Sequence, residues 1–179
     1  MRYDEKISGN VLMRRILAIL LPGLGLATLV FAGQAGAKSP AATSGDPASR
    51  EAQAAFTRGD WQTAIQEYEK LVRVAPRISE YHLNLGIAYY SAGRPYDAVA
   101  PLRQALKLNP ALAQAKDSLG MSLAETGHCD EALPLLKKAV TRASDKDAKR
   151  TIELDTVRCA MAVNRLDDAI DFLRLLTRG

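Results

Sequence analysis

The chain has 179 residues, 47% of them hydrophobic and 25% charged, with a formal net charge of +4. The first 37 residues supply half of that charge, through Arg2, Lys6, Arg14 and Arg15 against Asp4 and Glu5. Beyond them Lys and Arg interleave with Asp and Glu, as on ordinary solvated helix faces, which argues against a nucleic-acid-binding surface.

Residues 1–37 read as an export signal. Arg14-Arg15 precede an apolar stretch, Ile16 to Ala32, and Ala35-Gly36-Ala37 gives a small-x-small cleavage pattern before Lys38. Seventeen helical residues span about 25 Å, short of a roughly 30 Å hydrocarbon core. Pro22, Gly23 and Gly25 weaken that helix further. Cleavage after Ala37 is expected, with a periplasmic or secreted product. The alternative is a chain anchored in the membrane by residues 16–32, the only membrane contact expected. Asp4 and Glu5 fit such a signal poorly, so Met13 is the expected translation start. No Cys stands near the cleavage site, so no lipid-modified N-terminus is expected. Residues 38–45, rich in Ser, Pro, Ala and Gly, read as a flexible linker.

From residue 46 onward the chain repeats itself. Gly59, Gly93 and Gly127 stand 34 residues apart, and so do Ala64, Ala98 and Ala132. A related segment, Asn164 to Ile170, follows 37 residues after the third, which predicts a lengthened loop near residues 144–147. Each unit reads as two helices joined at the Gly or Asn, with Pro76 and Pro110 ending second helices. Asp46-Pro47 reads as a cap and first helical residue. No segment alternates with period two for long enough to suggest a sheet. The expected fold is a right-handed, all-α solenoid of about four hairpins over residues 46–179 (units 45–78, 79–112, 113–146 and 150–179).

This pattern resembles the tetratricopeptide repeat (TPR) family. The middle unit carries it most fully, with His82, Leu85, Gly86, Tyr89, Ala98, Leu102, Ala105 and Pro110 at the family's offsets. His82 stands where Trp is usual. The third unit offers Leu119, Gly120, Leu123, Ala132, Leu136 and Ala139; the first keeps Ala64, Tyr68, Leu71 and Pro76 but has Glu51-Ala52 in place of Leu-Gly.

The resemblance implies a partner-binding groove on the first helices of the hairpins. The inner-face positions of the family fall on Leu83, Asn84, Ile87 and Tyr90, on Asp117, Ser118, Met121 and Glu125, and on Asp155 and Arg158. The expected groove residues are Leu83, Asn84, Ile87, Tyr90, Asp117, Met121 and Arg158. Some members clamp a C-terminal carboxylate with Lys, Arg and Asn. Asn84 matches one such position, but Leu83, Ile87, Asp117 and Ser118 stand where cations are wanted, so a carboxylate clamp is not expected.

Stacked hairpins of this kind also bring Cys129, at the start of a second helix, near Cys159, late in the next first helix. Two readings stay open: a Cys129–Cys159 disulfide, which export permits and which would stabilise by roughly 3 kcal/mol, or two buried thiols in ordinary core positions.

Candidate chemistry is sparse. Two Cys and one adjacent His, His128, fall short of a metal site. His128 precedes Cys129 directly and no orienting base is evident, so no nucleophile pair is expected. His82 reads as a packing residue. Asp130-Glu131 and Asp167-Asp168 open second helices, where the helix dipole favours acid. No Gly-rich phosphate loop follows a strand. The expected product is a non-catalytic adaptor without cofactor, binding a protein or peptide in its groove. The alternatives are an oligomerising subunit that uses its last helix, through Leu173, Leu175 and Leu176, or the TPR portion of a larger envelope protein.

Overall fold

The computed structural model describes residues 47–178. The signal, linker and Asp46 expectations lie outside the described residues. Eight helices follow in order: α1 (Pro47–Arg58), α2 (Trp61–Val74), α3 (Ser79–Ser91), α4 (Pro95–Leu108), α5 (Ala113–Glu125), α6 (Cys129–Arg142), α7 (Lys146–Ala162) and α8 (Leu166–Arg178). Among the described residues there is no strand. No described helix is long and apolar enough to cross a membrane.

The repeat is built at its turns. Gly59, Gly93 and Gly127 take φ of 72°, 72° and 80°, and Asn164 takes 57° at the fourth turn. This left-handed conformation favours Gly and admits Asn. It sends the turn's N–H groups back to orphan carbonyls of the preceding helix. Gly93 N donates to the Tyr90 carbonyl (2.9 Å) and Arg94 N to that of Tyr89 (2.9 Å). Asn164 and Arg165 repeat the pair on Met161 (3.2 Å) and Ala160 (2.7 Å). The same pair of hydrogen bonds closes each hairpin.

The extra residues between the third and fourth units do not lengthen a loop. Residues 143–145 make a short connection, and helix α7 is longer instead, with 17 residues against 13 in α3 and α5. Asp145 caps it, accepting from Ala148 N at 2.8 Å. The added turn carries Lys146, Asp147, Lys149 and Arg150, all solvent-exposed. With a good cap and no apolar residue to bury, these residues extend a helix more readily than a loop.

Two clusters of buried side chains hold the hairpins together. One joins α1, α2 and α3 through Ala52, Ile65, Tyr68, Leu71, Tyr81 and Leu85. The other runs from α3 through α8, with Leu102, Leu123 and Leu136 at 0–1% exposure. Burying each such leucine stabilises by about 1.5–3 kcal/mol. Helix α3 serves both clusters, and Tyr89 packs against each. Beyond its sequence neighbours, α3 touches α5, and α5 touches α7. First helices therefore crowd together, and their free faces form the inner side of the stack.

Candidate functional site

The inner-face residues named from sequence all fall on α3, α5 and α7, but they divide into three kinds. Leu83 is not part of an open groove. It is only 7% exposed and packs in the larger core with residues of the following hairpin. Ser118 is likewise buried, at 6%. The crowding of first helices accounts for both, because a residue on the flank between two such helices is covered by the next. Ile87, Tyr90 and Met121 are half-buried, with part of each side chain against the core.

A second group is held by polar partners. Asn84 Nδ2 donates to the Tyr68 hydroxyl at 3.0 Å, and that hydroxyl donates to Gln53 Oε1 at 3.3 Å. The chain of bonds ties α1, α2 and α3 beside a cleft of about 520 Å³ lined by Arg50, Gln53, Tyr68, Glu80 and Asn84. Burial pushes the Tyr68 hydroxyl up to about 12, against the opposing pull of Asn84. Asp117 is bound by Arg142 of α6, whose Nε also reaches it at 3.3 Å. That pairing was not visible in sequence, since the two lie 25 residues apart.

The third group lies where α3, α5 and α7 converge. Tyr90 Oη donates to Glu125 Oε1 at 2.8 Å. Arg158 pairs with Asp155 at 2.9 Å, with the Asp155 side chain 14% exposed and that of Arg158 47%. Burial pushes the Asp155 carboxyl up to about 6; Arg158 opposes this and the charge of Glu125 adds to it. Burial and the neighbouring Glu125 also raise the Tyr90 hydroxyl well above its ordinary range. On either side of Arg158 stand Leu154 and Met161, exposed by 48% and 44%. Sequence reasoning missed these two. The inner-face register carried down α7 would have found them, one turn before and one turn after Arg158.

The cysteines meet at one junction. Cys129, the first residue of α6, and Cys159, late in α7, form a disulfide with Cα atoms 4.8 Å apart. Both are buried, at 6% and 0%. His82 Nε2 donates to the Pro76 carbonyl at 2.9 Å, holding the first turn of α3 to the start of the preceding loop. His128 Nδ1 lies 3.0 Å from Thr126 Oγ1. Among the described residues no group of three or more His, Cys, Asp or Glu is arranged to hold a metal.

Two family models described as tetratricopeptide repeat match residues 49–113 and 112–144, together more than half of the chain. The chain belongs to the tetratricopeptide repeat family. Among similar proteins, the TPR and J domain-containing co-chaperone DNJ1 of Cryptococcus neoformans is 28% identical over 147 residues, 81% of this chain and 27% of its own length. The small glutamine-rich TPR-containing protein 2 of Mycosarcoma maydis is 29% identical over 90 residues, 50% of this chain and 26% of its own length. The chain thus spans about a quarter of either relative. The solved structure of MamA AMB-1 superposes with a TM-score of 0.61 at 20% identity, covering 72% of this chain and 69% of that one. The TPR2B domain of yeast Sti1, solved in complex with pHsp70, gives 0.52 at 20% identity, covering 64% and 94%. At these identities the structural matches speak for the TPR fold alone.

Proposed function

We propose that this TPR protein is a non-catalytic adaptor that captures a segment of a partner protein on the inner faces of α3, α5 and α7. One observation carries the reading: Leu154 and Met161 are exposed on α7, and Ile87, Tyr90 and Met121 are half-buried on the inner helices α3 and α5, a mixed apolar face suited to a helix or extended segment. The co-chaperone and heat shock proteins among its relatives support a protein-binding role. The leader supports work in a periplasm or cell envelope, on a product beginning at Lys38. The test is capture from envelope extract with the wild-type chain and with a Tyr90→Ala, Met121→Ala double variant that retains its helical circular dichroism. Specific partners should be lost from the variant. Equal capture by both would sink the groove reading.

A second reading rests on a separate observation. Leu166, Ile170, Leu173 and Leu175 of α8 are 57%, 46%, 45% and 48% exposed. An oligomer that uses this helix would survive the groove mutations and fail on α8 mutations.

A further inference from the structure

We propose that the α3–α5–α7 convergence selects partner segments that carry a lysine or arginine flanked by apolar residues, the cation seated against Glu125 and Asp155. This rests on the groove reading above and names the chemistry of its occupant.

Charge complementarity is the first argument. Four charged or titratable groups face one another here: Tyr90 from α3, Glu125 from α5, and Asp155 and Arg158 from α7. With both carboxylates ionised, the two acids outnumber Arg158. Arg158 stands half in solvent, at 47%, whereas Asp155 is 14% exposed. The better-solvated partner is the more screened, so it compensates the buried carboxylate incompletely. Burial keeps the Asp155 carboxyl raised, Arg158 opposes this, and the charge of Glu125 adds to it, which places the two acids within each other's field. An arriving cation would meet a pair of acids that the protein itself leaves under-neutralised. An arriving carboxylate would meet repulsion.

The apolar surround is the second argument. Leu154 and Met161 occupy the same face of α7 as Arg158, and Met121 lies on the neighbouring inner helix. Lysine and arginine have apolar stems that cover such surface while their heads reach an acid. A methionine-bearing strip adapts to stems of different shape. The Tyr90 hydroxyl is already committed to Glu125, which holds that carboxylate at the convergence.

The test is selection of a phage-displayed random 12-residue peptide library on the full chain and on a Glu125→Gln, Asp155→Asn variant. Both substitutions preserve side-chain size, and folding of the variant is checked by circular dichroism. Peptides enriched on the wild type should share Lys or Arg beside apolar residues. A representative synthetic peptide should bind the variant at least ten-fold more weakly. The same peptide with its cation replaced by norleucine should lose affinity for the wild type and not for the variant. Enrichment of acidic or uncharged peptides, or equal affinity for both proteins, would overturn the proposal while leaving the groove intact. Absence of any enriched peptide would count against the groove reading, and this inference would fall with it.

Discussion

Gly86 of α3 faces Leu102 of α4 so closely that a Cβ on the glycine would lie 2.5 Å from Leu102 Cγ and 2.7 Å from its Cδ2. Leu102 is 0% exposed, so it cannot swing out into solvent to make room. Gly86→Ala should therefore push the second hairpin apart, at a cost of about 1–3 kcal/mol. Gly93→Ala tests a different property of the same hairpin. Nothing lies within 4 Å of its Cβ position, but φ is 72°, so strain alone should cost about 1 kcal/mol. Denaturant unfolding of both variants gives the comparison. A neutral Gly86→Ala would mean that the helix pair is looser than its geometry.

The disulfide gives a second expectation. Cys129 and Cys159 close a loop with a sequence separation of 30. In the chain-entropy model such a link stabilises by about 3 kcal/mol. The Cys129→Ser, Cys159→Ser variant, or the wild type under reductant, should lose roughly that much in urea unfolding. The loss should fall on α7 and α8, read as faster amide exchange there than in α3 and α4, because the bond docks the fourth hairpin on the third. Non-reducing peptide mapping that recovers two free thiols from the purified protein would remove the basis for this expectation.

The hairpins were readable in sequence because Gly and Asn at the turns have a backbone reason to be there, and because small and large residues recur at a fixed period. The lengthened α7 was not readable, since an insertion of polar residues looks alike as loop or as helix until its cap is placed. In the site, periodicity locates a face without saying which of its residues the next helix covers; Leu83 and Leu154 share a repeat position, yet one is 7% exposed and the other 48%. Long-range ion pairs were hidden for a related reason. Asp130-Glu131 and Asp167-Asp168 read as acids favoured by helix N-termini. In space Glu131 also meets Arg103 of α4 at 2.6 Å, and Asp168 meets Lys137 of α6 at 2.6 Å. Arg103 and Lys137 are 34 residues apart, so the repeat stitches its second helices together twice with one device.

Asp155 makes stability depend on pH in a stated direction. Its carboxyl is raised from 3.8 to about 6 on folding, mainly by burial, with Glu125 adding to the shift and Arg158 opposing it. The folded chain therefore holds this proton more tightly than the unfolded chain. Its contribution favours folding at and below pH ~4, declines as pH rises toward ~6, and stays lost above that. The shift corresponds to at most about 3 kcal/mol. Asp155→Asn removes the dependence and also the bond to Arg158, a partly exposed pair worth about 1 kcal/mol or less. Relative to wild type, the variant should gain stability between pH 4.5 and pH 7.5 in denaturant unfolding. An unchanged difference at the two pH values would show that Asp155 is not desolvated in the folded chain.

Tyr68 offers the means to separate packing from polar positioning in the groove's first half. Its ring is 2% exposed and lies edge-on to Phe56, with ring centroids 6.1 Å apart. Its hydroxyl accepts from Asn84 and donates to Gln53. Tyr68→Phe keeps the ring and removes only those two bonds. Asn84 is half-buried and Gln53 exposed, so water replaces the lost partner and the cost should be about 0.5–1.5 kcal/mol. Tyr68→Ala also leaves a cavity between the first two hairpins and should cost about 3–5 kcal/mol. The two substitutions differ in function too. If Asn84 needs the hydroxyl to hold its amide toward a bound segment, Tyr68→Phe should weaken partner binding beyond what its small loss of stability explains, measured well below the melting temperature. Binding equal to wild type would assign the hydrogen-bonded chain to joining the hairpins alone.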